Sequence, residues 1–127
     1  MKLALDTNRY SDLIRGDADV AAVIEAASEV CIPVIVLGEL RAGFKRGVQE
    51  AQNEAKLRAF LAKPNVRVLY PDDATSVLYG TFEAELRTRG MAIPTNDVWI
   101  AALAVQHGLM LFTRDQHFRH LPRVAVV

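Results

Sequence analysis

A chain of 127 residues, 51% of them hydrophobic, is long enough for one domain with a substantial core, burying roughly two-thirds of the surface it exposes when unfolded. Lys plus Arg and Asp plus Glu both number 15, for a formal net charge of zero. That excludes a protein that holds polyanions by overall basicity, so any nucleic acid must be met by a local patch or through cations. The single cysteine, Cys31, excludes an internal disulfide. No h-region follows Lys2 and no apolar run approaches the roughly 18 residues that span a bilayer, so a cytoplasmic protein with no membrane contact is expected. No linker, repeat or low-complexity tract divides residues 1–127, which reads as a single domain.

Residues 2–5 predict a first strand. A short helical turn over 10–15 ends at Gly16, and Asp17 caps a second helix whose Val20, Val23, Ile24 and Ala27 share one face. "EVCIP" predicts a second strand closed by Pro33, a residue suited to the first turn of the helix that follows. That helix runs over about 34–47. An amphipathic helix over roughly 48–63 comes next, with Ala55, Leu57, Phe60 and Leu61 as its apolar side, and Pro64 stops it. Together with Phe44 these apolar residues suit either the core or a docking surface for a partner protein.

"NVRVLY" predicts a third strand, and "PDD" opens a helix over about 74–89 that Gly90 stops. After a loop through Pro94, Asn96 is the expected N-cap of "DVWIAALAVQH", a helix apolar nearly all round and therefore buried. Gly108 ends it. "LMLFT" predicts a fourth strand, "RDQHFRHL" a short turn and "RVAVV" a small final strand. Alternating strands and helices imply an α/β fold with a parallel sheet, whose binding crevice lies at the carboxyl ends of the strands.

Acids fall at that edge. Asp6 ends strand one, Asp115 follows strand four by two residues, Asp97 begins the helix feeding strand four, and Glu39 lies about two turns into the helix after strand two. Each has an ordinary use when taken singly: Asp6 or Asp115 in a turn, Asp97 on a helix dipole, Glu39 reaching to solvent. Glu39, however, shares its helix face with Ile35, Val36 and Leu40, where an uncompensated charge is expensive. Carboxylates converging on one cleft repel and are driven to hold protons unless a cation joins them. With no zinc-type His or Cys cluster beside them, oxygen donors of this kind suit Mg2+ or Mn2+, and such sites serve phosphodiester or phosphoryl chemistry.

The stretches "LALDTN", "VIVLGELRAG", "NDVWIAALAVQHG" and "LFTRDQHF" resemble, in order, the motifs of PIN-domain nucleases, and are most similar to those of the VapC-type toxin ribonucleases of prokaryotic toxin–antitoxin pairs. The resemblance implies a three-layer α/β/α fold with a parallel sheet of order 3-2-1-4-5. It also implies a Mg2+- or Mn2+-dependent endoribonuclease leaving 5′-phosphate and 3′-hydroxyl ends. Asp6, Glu39, Asp97 and Asp115 match the metal-binding acids, with Thr7, Thr113 and Asn96 supporting them. A homodimer neutralised by a VapB-like antitoxin, whose C-terminal segment covers the active groove, is implied in the same way. Pro33 departs from the small polar residue often seen at that position, and the tail after Asp115 is short, so the final strand should be brief.

Arg46 lies on nearly the same helical face as Glu39, two turns on, with Ala42 and Gly43 between. Arg46, Arg41, Lys45 and Arg114 form a candidate path for RNA phosphates; as solvated surface charges they would have no such role. His117 and His120, three apart and near Asp115, make a side metal site conceivable but are read as surface or packing residues, His107 as a helix-end cation, Trp99 as core and Cys31 as a buried strand residue. Two other classes fit parts of the pattern: a receiver-like domain with Asp6 as phosphoacceptor, and a non-catalytic PIN scaffold that binds RNA or protein. Arg114, where a receiver wants a lysine, disfavours the first. A dehalogenase-type phosphatase wants an acid where Asn8 stands.

Overall fold

The structure, a computed structural model, describes all residues from Met1 to Val127. In chain order the elements are β1 (Lys2–Leu5), α1 (Thr7–Ile14), α2 (Ala18–Ala26), β2 (Glu29–Pro33), α3 (Val34–Arg46), α4 (Glu50–Leu61), β3 (Val66–Leu69), α5 (Asp73–Thr88), α6 (Thr95–Gln106) and β4 (Met110–Phe112), followed by a 3-10 turn over Gln116–His120. The sheet has the order β3-β2-β1-β4 and every pairing is parallel. All carboxyl ends therefore lie on one edge.

The two central strands explain the continuous apolar runs in the sequence. Leu3, Ala4, Leu5, Val30, Cys31 and Ile32 are all fully inaccessible. Successive strand side chains point to opposite faces, so helices must cover the sheet on both sides. Helix α6 is the deepest of these, burying Val98 and the whole run from Ile100 to Ala104. Helices α5 and α6 both end in glycine with positive φ, +67° at Gly90 and +63° at Gly108. In each case the following amide bonds back across the last turn, Met91 N–H to the Leu86 carbonyl (2.8 Å) and Leu109 N–H to the Ala104 carbonyl (2.9 Å). This is the glycine stop that releases the chain sharply, and at Gly108 it turns α6 straight into β4. No helix is long and apolar enough to cross a membrane.

Several local expectations change. The final strand is not a strand: only one bridge joins Leu111 to Val126, with Leu111 N–H on the Ala125 carbonyl (2.8 Å) and Val127 N–H on the Leu111 carbonyl (2.9 Å). Pro122 interrupts the run before it, so the sheet has four strands. Helix α1 begins at Thr7 because Asp6 itself caps it. Pro94, not Asn96, precedes α6, which frees the Asn96 side chain for another partner. In α4, Leu57 and Phe60 are core, whereas Ala55 faces solvent.

Candidate active site

The β1–β4 pairing aligns Leu5 with Phe112, and the Asp6 amide extends it by donating to the Phe112 carbonyl at 3.1 Å. Asp6 thereby sits at the sheet edge beside Thr113. Its carboxylate accepts from the Thr7 amide (2.8 Å), the Thr113 hydroxyl (2.7 Å) and the Asn8 side-chain amide (3.3 Å). Thr113 Oγ1 also accepts from the Asp115 amide at 3.0 Å. Asn8 ties the same two loops together, its side-chain carbonyl accepting from the Arg114 amide at 3.2 Å.

Glu39 comes from α3 and is fixed at both oxygens. The Thr7 hydroxyl donates to Oε1 at 2.6 Å and the Asn96 amide to Oε2 at 3.4 Å. Asp97, in the first turn of α6, has His117 against it, with Nδ1 2.8 Å from Asp97 Oδ2 and 3.0 Å from Asp115 Oδ1. Asp115 Oδ1 additionally accepts from the His117 amide at 2.9 Å, which holds the 3-10 turn onto the site. The expected supporting residues Thr7, Thr113 and Asn96 thus each touch an acid.

Asp6 and Asp97 are 4% and 7% exposed; Glu39 and Asp115 are half-buried. Burial raises the Asp6 carboxyl above the usual carboxylate range, with the charges of Glu39 and Asp115 adding to it and the Thr113 and Thr7 hydrogen bonds opposing. Burial likewise raises Asp97, against the hydrogen bond from His117 and with Asp115 and Asp6 nearby. His117 is raised chiefly by its bond to Asp97. Asp6 nevertheless accepts three hydrogen bonds, the pattern of an ionised carboxylate. No Lys, Arg or His side chain pairs with it, so the surrounding acids fit a cation. Single donor atoms of Asp97, Asp115 and His117 lie within 4.8 Å of one another, a spacing that a divalent ion fits.

The sequence matches the PIN domain family over residues 3–124. The chain belongs to the PIN-domain family. Among curated proteins, this PIN domain is 31% identical to ribonuclease VapC4 of Mycobacterium tuberculosis, over 80% of this chain and 78% of that one. It is 35% identical to the VapC ribonuclease Y4jK of Sinorhizobium fredii, over 89% and 86%. In structure it is similar to VapBC2 from Rickettsia felis, solved bound to a DNA fragment from its promoter, with TM-score 0.89, 27% identity and coverage of 100% of this chain and 98% of that one. It is therefore a VapC-type PIN domain, and the receiver-like reading falls away.

Of the four cations expected on an RNA path, three already have acidic partners in this PIN domain. Arg41 clamps Glu54 through Nε (3.0 Å) and a terminal nitrogen (2.9 Å), Lys45 pairs with Glu50 (2.6 Å) and Arg114 grips Asp12 (3.0 and 3.2 Å). Arg46, exposed at the last turn of α3, takes part in no ion pair. Sequence reasoning gives no site role to Asn8 or Asp12, and sets His117 aside after raising it for a side metal site. Asn8 and His117 each lie two places beyond an expected acid; that proximity was the only signal, since their partners are distant in sequence. Half-exposed as it is, the His117 ring joins the acid cluster: its Nδ1 is hydrogen-bonded to Asp97 and lies 3.0 Å from Asp115 Oδ1.

Proposed function

We propose that this PIN domain is a Mg2+- or Mn2+-dependent endoribonuclease, the toxin of a toxin–antitoxin pair, hydrolysing RNA phosphodiester bonds at Asp6, Glu39, Asp97 and Asp115. The observation that carries the reading is the gathering of these acids on one sheet edge, two of them buried, in a chain whose relatives are named ribonucleases. When bound, a divalent ion supplies Lewis acidity toward the scissile phosphate and lowers the pKa of the attacking water. Asp6, Glu39, Asp97 and Asp115 would hold it. Thr113 and Asn8 fix the Asp6 carboxylate, while Thr7 and Asn96 fix Glu39 at both oxygens, so the acids are oriented before substrate arrives. Burial of the cleft floor strengthens every charge interaction made there.

The partner is a VapB-like antitoxin, by analogy with structural neighbours described as VapBC complexes from Rickettsia felis and Haemophilus influenzae. Cys31, fully buried and alone, suits work in the cytoplasm. The test is sequencing of RNA ends after expression of wild type beside Asp6→Ala and Asp97→Ala. New 5′-phosphate ends should appear with wild type only, both variants remaining folded by circular dichroism. Undiminished metal-dependent cleavage by the two variants overturns the assignment.

A further inference from the structure

His117 is placed like a ligand. It opens no core contact of its own: the next residue, Phe118, is the one driven into the core at 1% exposure, and it anchors the 3-10 turn from which His117 projects. The His117 ring is half exposed, its Nε2 makes no hydrogen bond, and its Nδ1 lies 2.8 Å from Asp97 Oδ2 and 3.0 Å from Asp115 Oδ1. Around an octahedral ion with bonds of about 2.0–2.1 Å, neighbouring donors stand about 3 Å apart and opposite ones about 4.2 Å. The 2.8 and 3.0 Å separations from Nδ1 match neighbouring donors, and the two carboxylates lie within 4.8 Å of each other. Two independent constraints hold the arrangement: Asp115 binds the His117 backbone amide (2.9 Å), and the Thr113 hydroxyl binds the Asp115 amide (3.0 Å).

We propose that His117, in its neutral form and through Nδ1, is a nitrogen ligand to the divalent ion, acting with Asp97 and Asp115, and that it biases the site toward Mn2+ over Mg2+. The ion takes the place of the Nδ1 proton now shared with Asp97, and that proton passes to solvent or to Nε2. This rests on the reading of the acids as ion-holding. Carboxylates alone are hard donors that serve Mg2+ well; a neutral imidazole is a softer donor that strengthens binding of first-row transition ions and adds little for Mg2+. The alternative role for His117 is to orient Asp97 by a hydrogen bond without touching the ion.

Electron paramagnetic resonance of Mn2+ bound to the full chain separates the two. Nitrogen hyperfine coupling from a coordinated imidazole is expected in wild type and lost in His117→Ala. Mn2+ affinity should fall by more than the roughly 10–100-fold that losing a merely orienting residue costs, with a smaller fall for Mg2+, both read by titration. His117→Gln keeps a hydrogen-bonding side chain but no imidazole, so it should restore neither the coupling nor the Mn2+ preference. Bound Mn2+ without nitrogen coupling in wild type, or equal losses for the two ions, or full rescue by glutamine, overturns the ligand role while leaving the nuclease reading intact. Failure of wild type to bind either ion overturns both.

Discussion

Asp6 caps α1 and Asp12 lies near that helix's other end; both are buried, and their surroundings are opposite. Asp12 is ringed by cations: Arg114 at 3.0 Å, Arg9 and Arg15 each at 3.3 Å. Arg114 first, and then Arg9, hold its carboxyl below the usual range. Asp6 has hydrogen bonds but no cation, and burial holds it above that range. Asp12 is neutralised within the fold, whereas Asp6 has no cationic partner in it. Both acids are buried, so it is the cationic partner and not burial that distinguishes them.

The largest expected contrast is in response to metal. Mg2+ or Mn2+ at about 100 times its dissociation constant should add about 2.7 kcal/mol to the unfolding free energy of wild type. Asp12→Asn should show the same increment and Asp97→Asn little of it, all read by denaturant unfolding with and without chelator. Next in size, Asp12→Ala should destabilise the protein by about 1–3 kcal/mol, the partial exposure of its arginines keeping the loss below that of a fully buried pair.

The two acids should also respond to pH with opposite sign. The contribution of Asp12 is fully present above its unfolded pKa of about 3.9 and is lost as pH falls through its lower folded value. Asp6, with a raised folded pKa, weakens the metal-free fold above that value, and acidification through it relieves the penalty. Asp12→Asn should therefore flatten stability against pH on the acid side of about 4, and Asp6→Asn the segment just above it. Equal pH profiles for the two variants would erase the distinction. The smallest effect concerns the cations: Arg46→Ala should weaken RNA binding and reduce its salt slope by about 1, whereas Arg41→Ala, already neutralised by Glu54, should change the slope less.

Much of this was legible in the residues. Buried parallel strands read as unbroken apolar runs, so β1 and β2 fall at 2–5 and 29–33 as expected. A parallel sheet also brings all carboxyl ends to one edge, which is why Asp6, Asp97 and Asp115 can be grouped before any coordinates are known. What stayed hidden depends on long-range partners. The Arg41–Glu54 clamp spans the α3–α4 turn rather than one helix face. Asn8 bonds the Arg114 amide across 106 residues. His117 meets Asp97 from a turn whose position depends on Phe118 reaching the core. Asn96 looked like a cap because its type favours that position, yet its amide is spent on Glu39.

The adjacency of β1 and β4 has a kinetic consequence. The Thr113 hydroxyl that steadies Asp6 belongs to a residue 107 positions away, so the acid edge closes through one of the longest loops the chain contains. Loops of that length close late, because their entropy must be met before their contacts reward it. A folding chain in which β1, β2 and β3 have paired but β4 has not holds Asp6 without Thr113 and has yet to bring Asp115 to it. In such a chain the acid edge is incomplete, because Thr113 and Asp115 reach Asp6 only through the β1–β4 pairing.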